Sequence, residues 1–305
     1  MIADRMLQLF AGNPAAYGSD IGGCVRSWVT PTTIKRHLEG FEGIGIYPIW
    51  REDDKLMVRW GCCDIDTGNW TEAYGLATTL NAMGIPPHVE RSRSKGWHIW
   101  AFSETPVEAR TMSRALRVAY QAIDLPTKEV NPKSEVLAPG QLGNYVRLPY
   151  KGVLARRDGD PYPERQVMVY GWCSTNDGTH LVATEWVNNF GPEHYAPPAA
   201  LQHYASLYRE PTRKVFDGEM LTDGQLQLLL GKLLNSRPDL YQFVKNGPKH
   251  DRSAGLVSLA HQCRAAGLTP AEMYAVVDVA DQRWGKYVDR PNRDDYIRDI
   301  VERAL

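Results

Sequence analysis

Two rhythms of apolar and polar positions run along this chain, and the change between them divides it. As far as residue 190 or so, short alternating runs stand between helical stretches. Residues 2–10 read as a short helix. Thr30-Pro31 opens a second helix to about Glu39, with Thr30 as N-cap and Pro31 in the first turn. Gly43 to Trp50 reads as a strand, Arg51 to Lys55 as a turn and Leu56 to Ile65 as a second strand, together a hairpin. Asn69 caps a helix over Trp70 to Met83, which Gly84 and Pro86-Pro87 stop. Strands at His88–Arg91 and Trp97–Phe102 flank a basic turn. Thr105 with Glu108 has the form of a capping box, with Pro106 in first position, and predicts a helix from there to about Ile123. Short strands follow at residues 128–130, 145–148 and 166–172.

After about Asn189 the character changes. Pro192, Pro197 and Pro198 mark a boundary, and from Leu221 the pattern is helical only, over residues 225–230, 253–266, 269–284 and 293–305. The expected organisation is an α/β (α+β) domain over residues 1–195 with mixed, mostly antiparallel sheets, a linker over 196–220 and a small all-helical domain over 221–305. The last helix reaches the final residue, from which we expect the chain to be a piece of a longer protein.

Composition narrows the class. A chain of 305 residues with 43% hydrophobic and 23% charged residues is long enough for more than one packed domain. The formal net charge of −1 rules out a broad basic coat, so any nucleic-acid contact must come from local patches. No apolar run has the length of a membrane span, and the N-terminus has no signal-peptide core. The five cysteines are scattered and form no CxxC pair, so neither a zinc ribbon nor a disulfide framework is expected. A reducing cytoplasm fits best, with no zinc and no membrane partner.

The candidate chemistry lies in two short stretches. Asp64-Ile65-Asp66 ends an apolar strand, and residues i and i+2 of a strand share a face. Two carboxylates aimed at one point suit a hard divalent cation, although an isolated pair of this kind is more often a solvated strand end. The basic turn holds Arg91, Ser92, Arg93, Ser94, Lys95 and Gly96, a mixture of cations, hydroxyls and freed backbone that suits phosphate oxygens. Alternation sets His98 on the opposite face from Trp97 and Ile99, where it can face the same cleft as the acids. Together these point to metal-assisted chemistry on a nucleoside triphosphate.

In this order the motifs form a pattern. Gly43-Ile44-Gly45-Ile46-Tyr47-Pro48, Asp64-Ile65-Asp66, Val89 to Ser94, Gly96-Trp97-His98-Ile99-Trp100, Glu129 to Lys133 and Gly143 to Pro149 resemble the catalytic core of the archaeo-eukaryotic primase superfamily. The resemblance is nearest to the primase-polymerases of phages, plasmids and mobile elements. It implies a primase-polymerase core followed by a helical domain. It also implies two ions, Mg²⁺ or Mn²⁺, held by Asp64, Asp66 and Glu129, with Glu135 a rival for the third place. His98 would contact the triphosphate, joined by Arg147 and by Ser92, Ser94 and Lys95. Single-stranded DNA and NTP or dNTP are the implied partners, in the cytoplasm of a bacterial host, and a helicase domain or protein would follow residue 305. Candidates for the template surface are Arg91, Arg93, Lys128, Lys133, Lys151, Arg156 and Arg157, with Trp97 or Tyr145 stacking a base. Lys245, Lys249, His250 and Arg252 form a further basic cluster, read first as a solvated loop.

Two other classes share parts of this pattern. A metal-dependent glycosyltransferase uses an acid pair but needs neither the basic turn with histidine nor a third acid. A non-catalytic nucleic-acid-binding module would have a decayed site, whereas all three acids are present.

Overall fold

Caps and turn residues place most elements where the chain's own pattern puts them. The computed structural model describes residues 1–125, 129–157, 159–210, 220–290 and 292–305. The chain divides into two units, Met1–Arg209 and Glu210–Leu305. In the first, helix α1 (Ile2–Leu9) leads into β1 (Tyr17–Ser19) and β2 (Gly23–Val25). Helix α2 (Pro31–Leu38) starts at Thr30, whose hydroxyl accepts from the Thr33 N–H. β3 (Ile44–Ile46), β4 (Trp50–Glu52) and β5 (Lys55–Ile65) follow. Asp53 and Asp54 between β4 and β5 take φ of 44° and 61°, the turn whose twist matches that of the strands. Then come α3 (Trp70–Ala82), capped by the Asn69 side chain, β6 (His88–Arg91), β7 (Trp97–Glu108) and α4 (Ala109–Gln121). The unit closes with β8 (Val130–Asn131), β9 (Val146–Arg147), β10 (Val167–Tyr170), β11 (Thr179–His180), α5 (Ala183–Asn188), β12 (Tyr195–Ala196) and α6 (Pro198–Leu207).

The strands form two sheets. The larger runs β11-β10-β6-β7-β5-β4, with β8 antiparallel on β5 and β12 parallel on β7; the smaller runs β2-β1-β3-β9. The mixed, mostly antiparallel α/β class is as the pattern predicts. One face of the larger sheet, with Cys63, Ile65, Ile99 and Ala101, packs with Leu76, Leu80, Met112, Leu116 and Leu201 from α3, α4 and α6. The other face, with Trp60, Cys62, Trp100 and Phe102, packs with Ile44, Ile46 and Val146 of the smaller sheet and with Met6, Ile34 and Leu38 of α1 and α2. The candidate site lies at the end of this second face.

The second unit is helical: α7 (Asp223–Ser236), α8 (Pro238–Asn246), α9 (Arg252–Ala265), α10 (Pro270–Trp284) and α11 (Arg293–Ala304). Thr222 with Gln225 and Thr269 with Glu272 form capping boxes, and Leu233, Leu240, Leu259, Val277 and Val301 fill its core. Among the described residues no helix is long and apolar enough to cross a membrane.

Four expectations are corrected. The expected strand over residues 43–50 is two strands in two sheets, and Pro48, which has no N–H for a ladder, stands between them. The Thr105 capping box does not form. After a bulge between Val58 and Trp60, β7 continues to Glu108, and Val107 is buried opposite Val58. Burying that side chain outweighs a cap worth about 1 kcal/mol. The expected linker over 196–220 is cut back, because Ala196 pairs with Ser103 and Leu201 is buried in the core, so residues up to Arg209 belong to the first unit. Of that stretch, residues 211–219 lie outside the described residues, as does Lys128 of the expected 128–130 strand. Helix α8, opened by Pro238 in its first turn, was not expected at all.

Candidate active site

Strand register, not proximity in sequence, assembles the site. Past the bulge, Trp60, Cys62 and Asp64 share a face of β5. Asp64 pairs with His98 of β7, and His98 pairs with Glu90 of β6. On the other side Cys63 pairs with Val130, which sets Glu129 beside Asp64 in the same register. Glu129, Asp64, His98 and Glu90 therefore form one row across neighbouring strands.

The row is tied together at its buried end. His98 Nδ1 lies 2.9 Å from Glu90 Oε2, and the Trp100 indole N–H donates to the same oxygen at 2.7 Å. Glu90 is 1% exposed. His98 Nε2 faces outward, 3.7 Å from Asp64 Oδ1. Burial alone would hold the His98 imidazole below its ordinary pKa, but the Glu90 carboxylate, and then Asp64 and Asp66, raise it. The Asp64 carboxyl is also raised, first by burial and then by the charges of Asp66 and Glu129, which His98 partly offsets.

Two cavities meet at Asp64. One, of about 460 Å³, is lined by Tyr47, Asp64, His98, Lys133, Tyr145 and Arg147 among others. The second, of about 360 Å³, is lined by Asp64, Asp66, Thr67, Glu72, Tyr120 and Glu129 among others. The Tyr120 hydroxyl donates to the Asp64 carbonyl at 3.1 Å. Lys133 Nζ lies 2.7 Å from Glu129 Oε2, so a cation already sits on the third acid. Tyr145 packs edge-on against Tyr47, and a Cβ at Gly45 would meet its ring at 2.3 Å. Glycine at position 96 has a similar cause, since a Cβ there would sit 2.1 Å from the Ile65 carbonyl oxygen.

Among the described residues no group of three or more His, Cys, Asp or Glu side chains is drawn close enough to form a finished metal shell. The donor set nonetheless fits a hard cation. Asp64, Asp66 and Glu129 offer carboxylate oxygens to one cavity, and their mutual repulsion, felt at Asp64, is what a cation relieves.

The structure thus brings together Asp64, Asp66, Glu129, His98 and Arg147 around the two cavities. Lys133, expected on a template surface, belongs to this group. Glu135 does not: Arg114 and Arg117 hold its carboxylate at 2.8–3.1 Å. Ser92 is buried in the turn after β6, where its N–H donates to the Gly96 carbonyl, and Ser94 and Lys95 are exposed at the tip; none of the three lines the cavity beside His98. Arg91 lies on the far face, over the Trp97 ring and bonded to Asp177, Gly178 and His180, because alternation opposes it to Glu90. Arg93 is exposed and helps Lys151, the stronger influence, to lower the Asp20 pKa. Lys151 is paired with Asp20 at 2.6 Å. Arg156 is folded into its own loop, over the Tyr162 ring and onto the Pro161 and Asp160 carbonyls, beside an exposed Arg157. Trp97 is a core residue, packed at a tilt against Trp70 with centroids 4.8 Å apart, whereas Tyr145 reaches the cavity. In the second unit Arg252 caps helix α10 through the Trp284 carbonyl.

Glu90 is the residue that the sequence reading passed over. The signal was present: a hairpin closed by Ser92 to Gly96 sets Arg91 against Trp97 and hence Glu90 against His98.

A mixed α/β fold here presents acids and an imidazole in one row, beside a cavity with Arg147 and Lys133, an arrangement suited to phosphate oxygens. Residues 20–161 match the family model described as the archaeo-eukaryotic primase domain of TOTE conflict systems, which supports assigning this stretch to the archaeo-eukaryotic primases. Among solved structures the chain is similar to the crystal structure of primase RepB′, at 14% identity over 99% of this chain and 93% of that one, with a TM-score of 0.35, too low to inform the fold. None of the curated proteins matches the chain.

Proposed function

We propose that this chain is a template-dependent nucleotidyltransferase with DNA primase and DNA polymerase activity, joining NTP or dNTP units on single-stranded DNA. The observation that carries the reading is the cross-strand row of Glu129, Asp64 and His98, with Asp66 at its edge and Arg147 on the facing sheet. Two divalent ions, Mg²⁺ or Mn²⁺, held by Asp64, Asp66 and Glu129, would lower the pKa of the attacking hydroxyl and offset charge on the departing pyrophosphate.

The chain's own groups bind and orient. His98 Nε2 points into the larger cavity and can donate to a phosphate oxygen, and the Arg147 guanidinium lines the same cavity with forked donors. Lys133 can leave Glu129 for a phosphate once the acid has another cation, because the pair is only half-buried and held by a single contact. Tyr145 offers a ring face to a base or sugar. We place the activity in replication of a phage or other mobile element, in the cytoplasm of a bacterial host.

The test is incorporation of labelled nucleotide on single-stranded templates with Mg²⁺ or Mn²⁺, each nucleotide pool in turn, with and without a primer. The Asp64→Ala, Asp66→Ala double variant should lose at least about 10³-fold in rate while still binding DNA. Synthesis that persists in that variant rejects the assignment, and transfer of a sugar in place of a nucleotide moves the chain to the glycosyltransferase class.

A further inference from the structure

We infer that Glu90 is a positioning residue for His98: through a hydrogen bond at Nδ1 it fixes the tautomer and ring orientation that present Nε2 to the nucleotide. The inference rests on the nucleotidyltransferase reading above and assigns a role within that site.

A carboxylate 1% exposed is expensive to bury unless it is paired or well bonded. Among the contacts described for Glu90 no lysine or arginine appears; its bonds are to the His98 imidazole and the Trp100 indole. A residue kept only for packing at this position needs no charge. The bonding pattern supplies a reason for one. A single oxygen, Oε2, accepts from Trp100 at 2.7 Å and lies 2.9 Å from His98 Nδ1. Trp100 is fully buried, so its indole N–H holds the carboxylate in place.

The consequence falls on His98. A neutral imidazole carries one N–H, and its location is set by whichever partner accepts it. With Glu90 at Nδ1, that nitrogen keeps its proton in both the neutral and the charged ring, and Nε2 is left for the cavity, 3.7 Å from Asp64. Without Glu90 the ring can turn over or exchange tautomers, and Nδ1 and Nε2 then compete for the cavity. This is the logic by which a carboxylate behind a metal-bound histidine orients it, with a phosphate oxygen in place of the metal.

The test uses the full chain and two readouts. The first is the dissociation constant for dATP or ATP with Mg²⁺, without template, by calorimetry. His98→Ala is expected to weaken binding by roughly 10- to 100-fold, Glu90→Ala to weaken it comparably, and the double variant to be no worse than His98→Ala, since both remove one function. Glu90→Gln can keep an oxygen at the Oε2 position, so it should rescue binding to within about three-fold of wild type. The second readout is the ¹⁵N spectrum of His98, which reports directly which ring nitrogen is protonated. A protonated Nδ1 is expected in wild type and Glu90→Gln, and a mixture of tautomers in Glu90→Ala.

Wild-type affinity and an unchanged tautomer in Glu90→Ala overturn the inference. So does a wild-type spectrum with unprotonated Nδ1, a measurement that needs no variant to fold. If His98→Ala itself leaves nucleotide affinity intact, the nucleotidyltransferase reading of the site fails, while the spectrum still decides whether Glu90 orients the ring.

Discussion

Two groups of charged residues, one in each unit, are built in opposite ways. In the helical unit Asp281 is fully buried and completely partnered. It accepts from the Tyr287 N–H at 2.9 Å and from Arg293 Nε at 2.8 Å, and the same guanidinium reaches Asp278. In the α/β unit Asp64, Asp66, Glu129 and Glu90 share only His98 and Lys133 as described cationic contacts. The first group is closed and holds helices α10 and α11 together. The second carries an acid surplus, which adds to burial in raising the pKa of Asp64, and in the function proposed above a cation would offset it.

Substitution of the two aspartates should separate these cases most sharply. Asp281→Ala leaves Arg293 without its buried partner and is expected to cost about 3–5 kcal/mol. Asp64→Asn removes a charge that burial, Asp66 and Glu129 all disfavour, so in metal-free buffer it should leave stability unchanged or raise it, even as it ends activity. Calorimetry of the full chain in chelator measures both. Equal losses in the two variants would erase the distinction between closed and open groups.

Histidine gives the same contrast at a single residue type. His98 looks onto carboxylates and its pKa is raised; His37, fully buried, has neutral hydrogen-bond partners, the Pro149 carbonyl at 2.8 Å and the Ile44 N–H at 3.1 Å. Burial pushes the His37 imidazole down to about 4. The folded state therefore resists a proton that the unfolded chain accepts near pH 6.5. Stability from this group is complete above about pH 6.5 and is lost as pH falls from there towards 4, by about 3 kcal/mol in total. Denaturation of wild type and His37→Gln across this range should show that difference in slope, and parallel curves would mean that His37 is hydrated or charged in the fold.

A smaller effect follows from the open group itself. An ion that binds only the folded chain stabilises it by about 2.7 kcal/mol at one hundred times its dissociation constant. Mg²⁺ or Mn²⁺ should therefore raise the melting temperature of wild type and do so far less in the Asp64→Ala, Asp66→Ala variant. A shift of equal size in both would place the ion elsewhere.

The legible part of this fold was local. The caps at Thr30, Asn69 and Thr269, the Asp53-Asp54 turn and the alternation that turns His98 away from Trp97 are all short-range signals, and the structure keeps them. The illegible part was long-range. The bulge before Trp60 carries β7 through Pro106 to Glu108, against a well-formed capping signal, because pairing with Val58 buries Val107. Leu201 is likewise an ordinary apolar residue after a proline pair until α4 is there to cover it. In the site, Asp64, Asp66, Glu129 and His98 were readable from spacing and resemblance, and the structure gathers them. Arg147 apart, the basic residues were not readable, because a guanidinium on a strand reveals its partner only in three dimensions: Arg91 meets Asp177, which lies 86 positions away.

The smallest expected effect lies in the loop after the smaller sheet's last strand. Arg156 and Arg157 have the composition of a nucleic-acid contact. Yet the Arg156 guanidinium lies 4.7 Å from the Tyr162 ring and directs its donors to the Pro161 and Asp160 carbonyls, whereas in Arg157 it is the backbone N–H that donates to the Asp160 carboxylate, at 2.8 Å. A cation committed within its own loop neutralises little phosphate charge, and each phosphate contact that is made should appear in the salt dependence of binding. Arg156→Ala should therefore change single-stranded DNA affinity by less than about two-fold and leave the salt slope as it was. Arg147→Ala, on a cavity wall with no such commitment among the described residues, should weaken nucleotide binding by at least about ten-fold, as loss of a charge-assisted phosphate contact does. A steep loss of DNA affinity in Arg156→Ala, with Arg147→Ala silent, would reverse the assignment and put the nucleic acid on the loop rather than along the cleft.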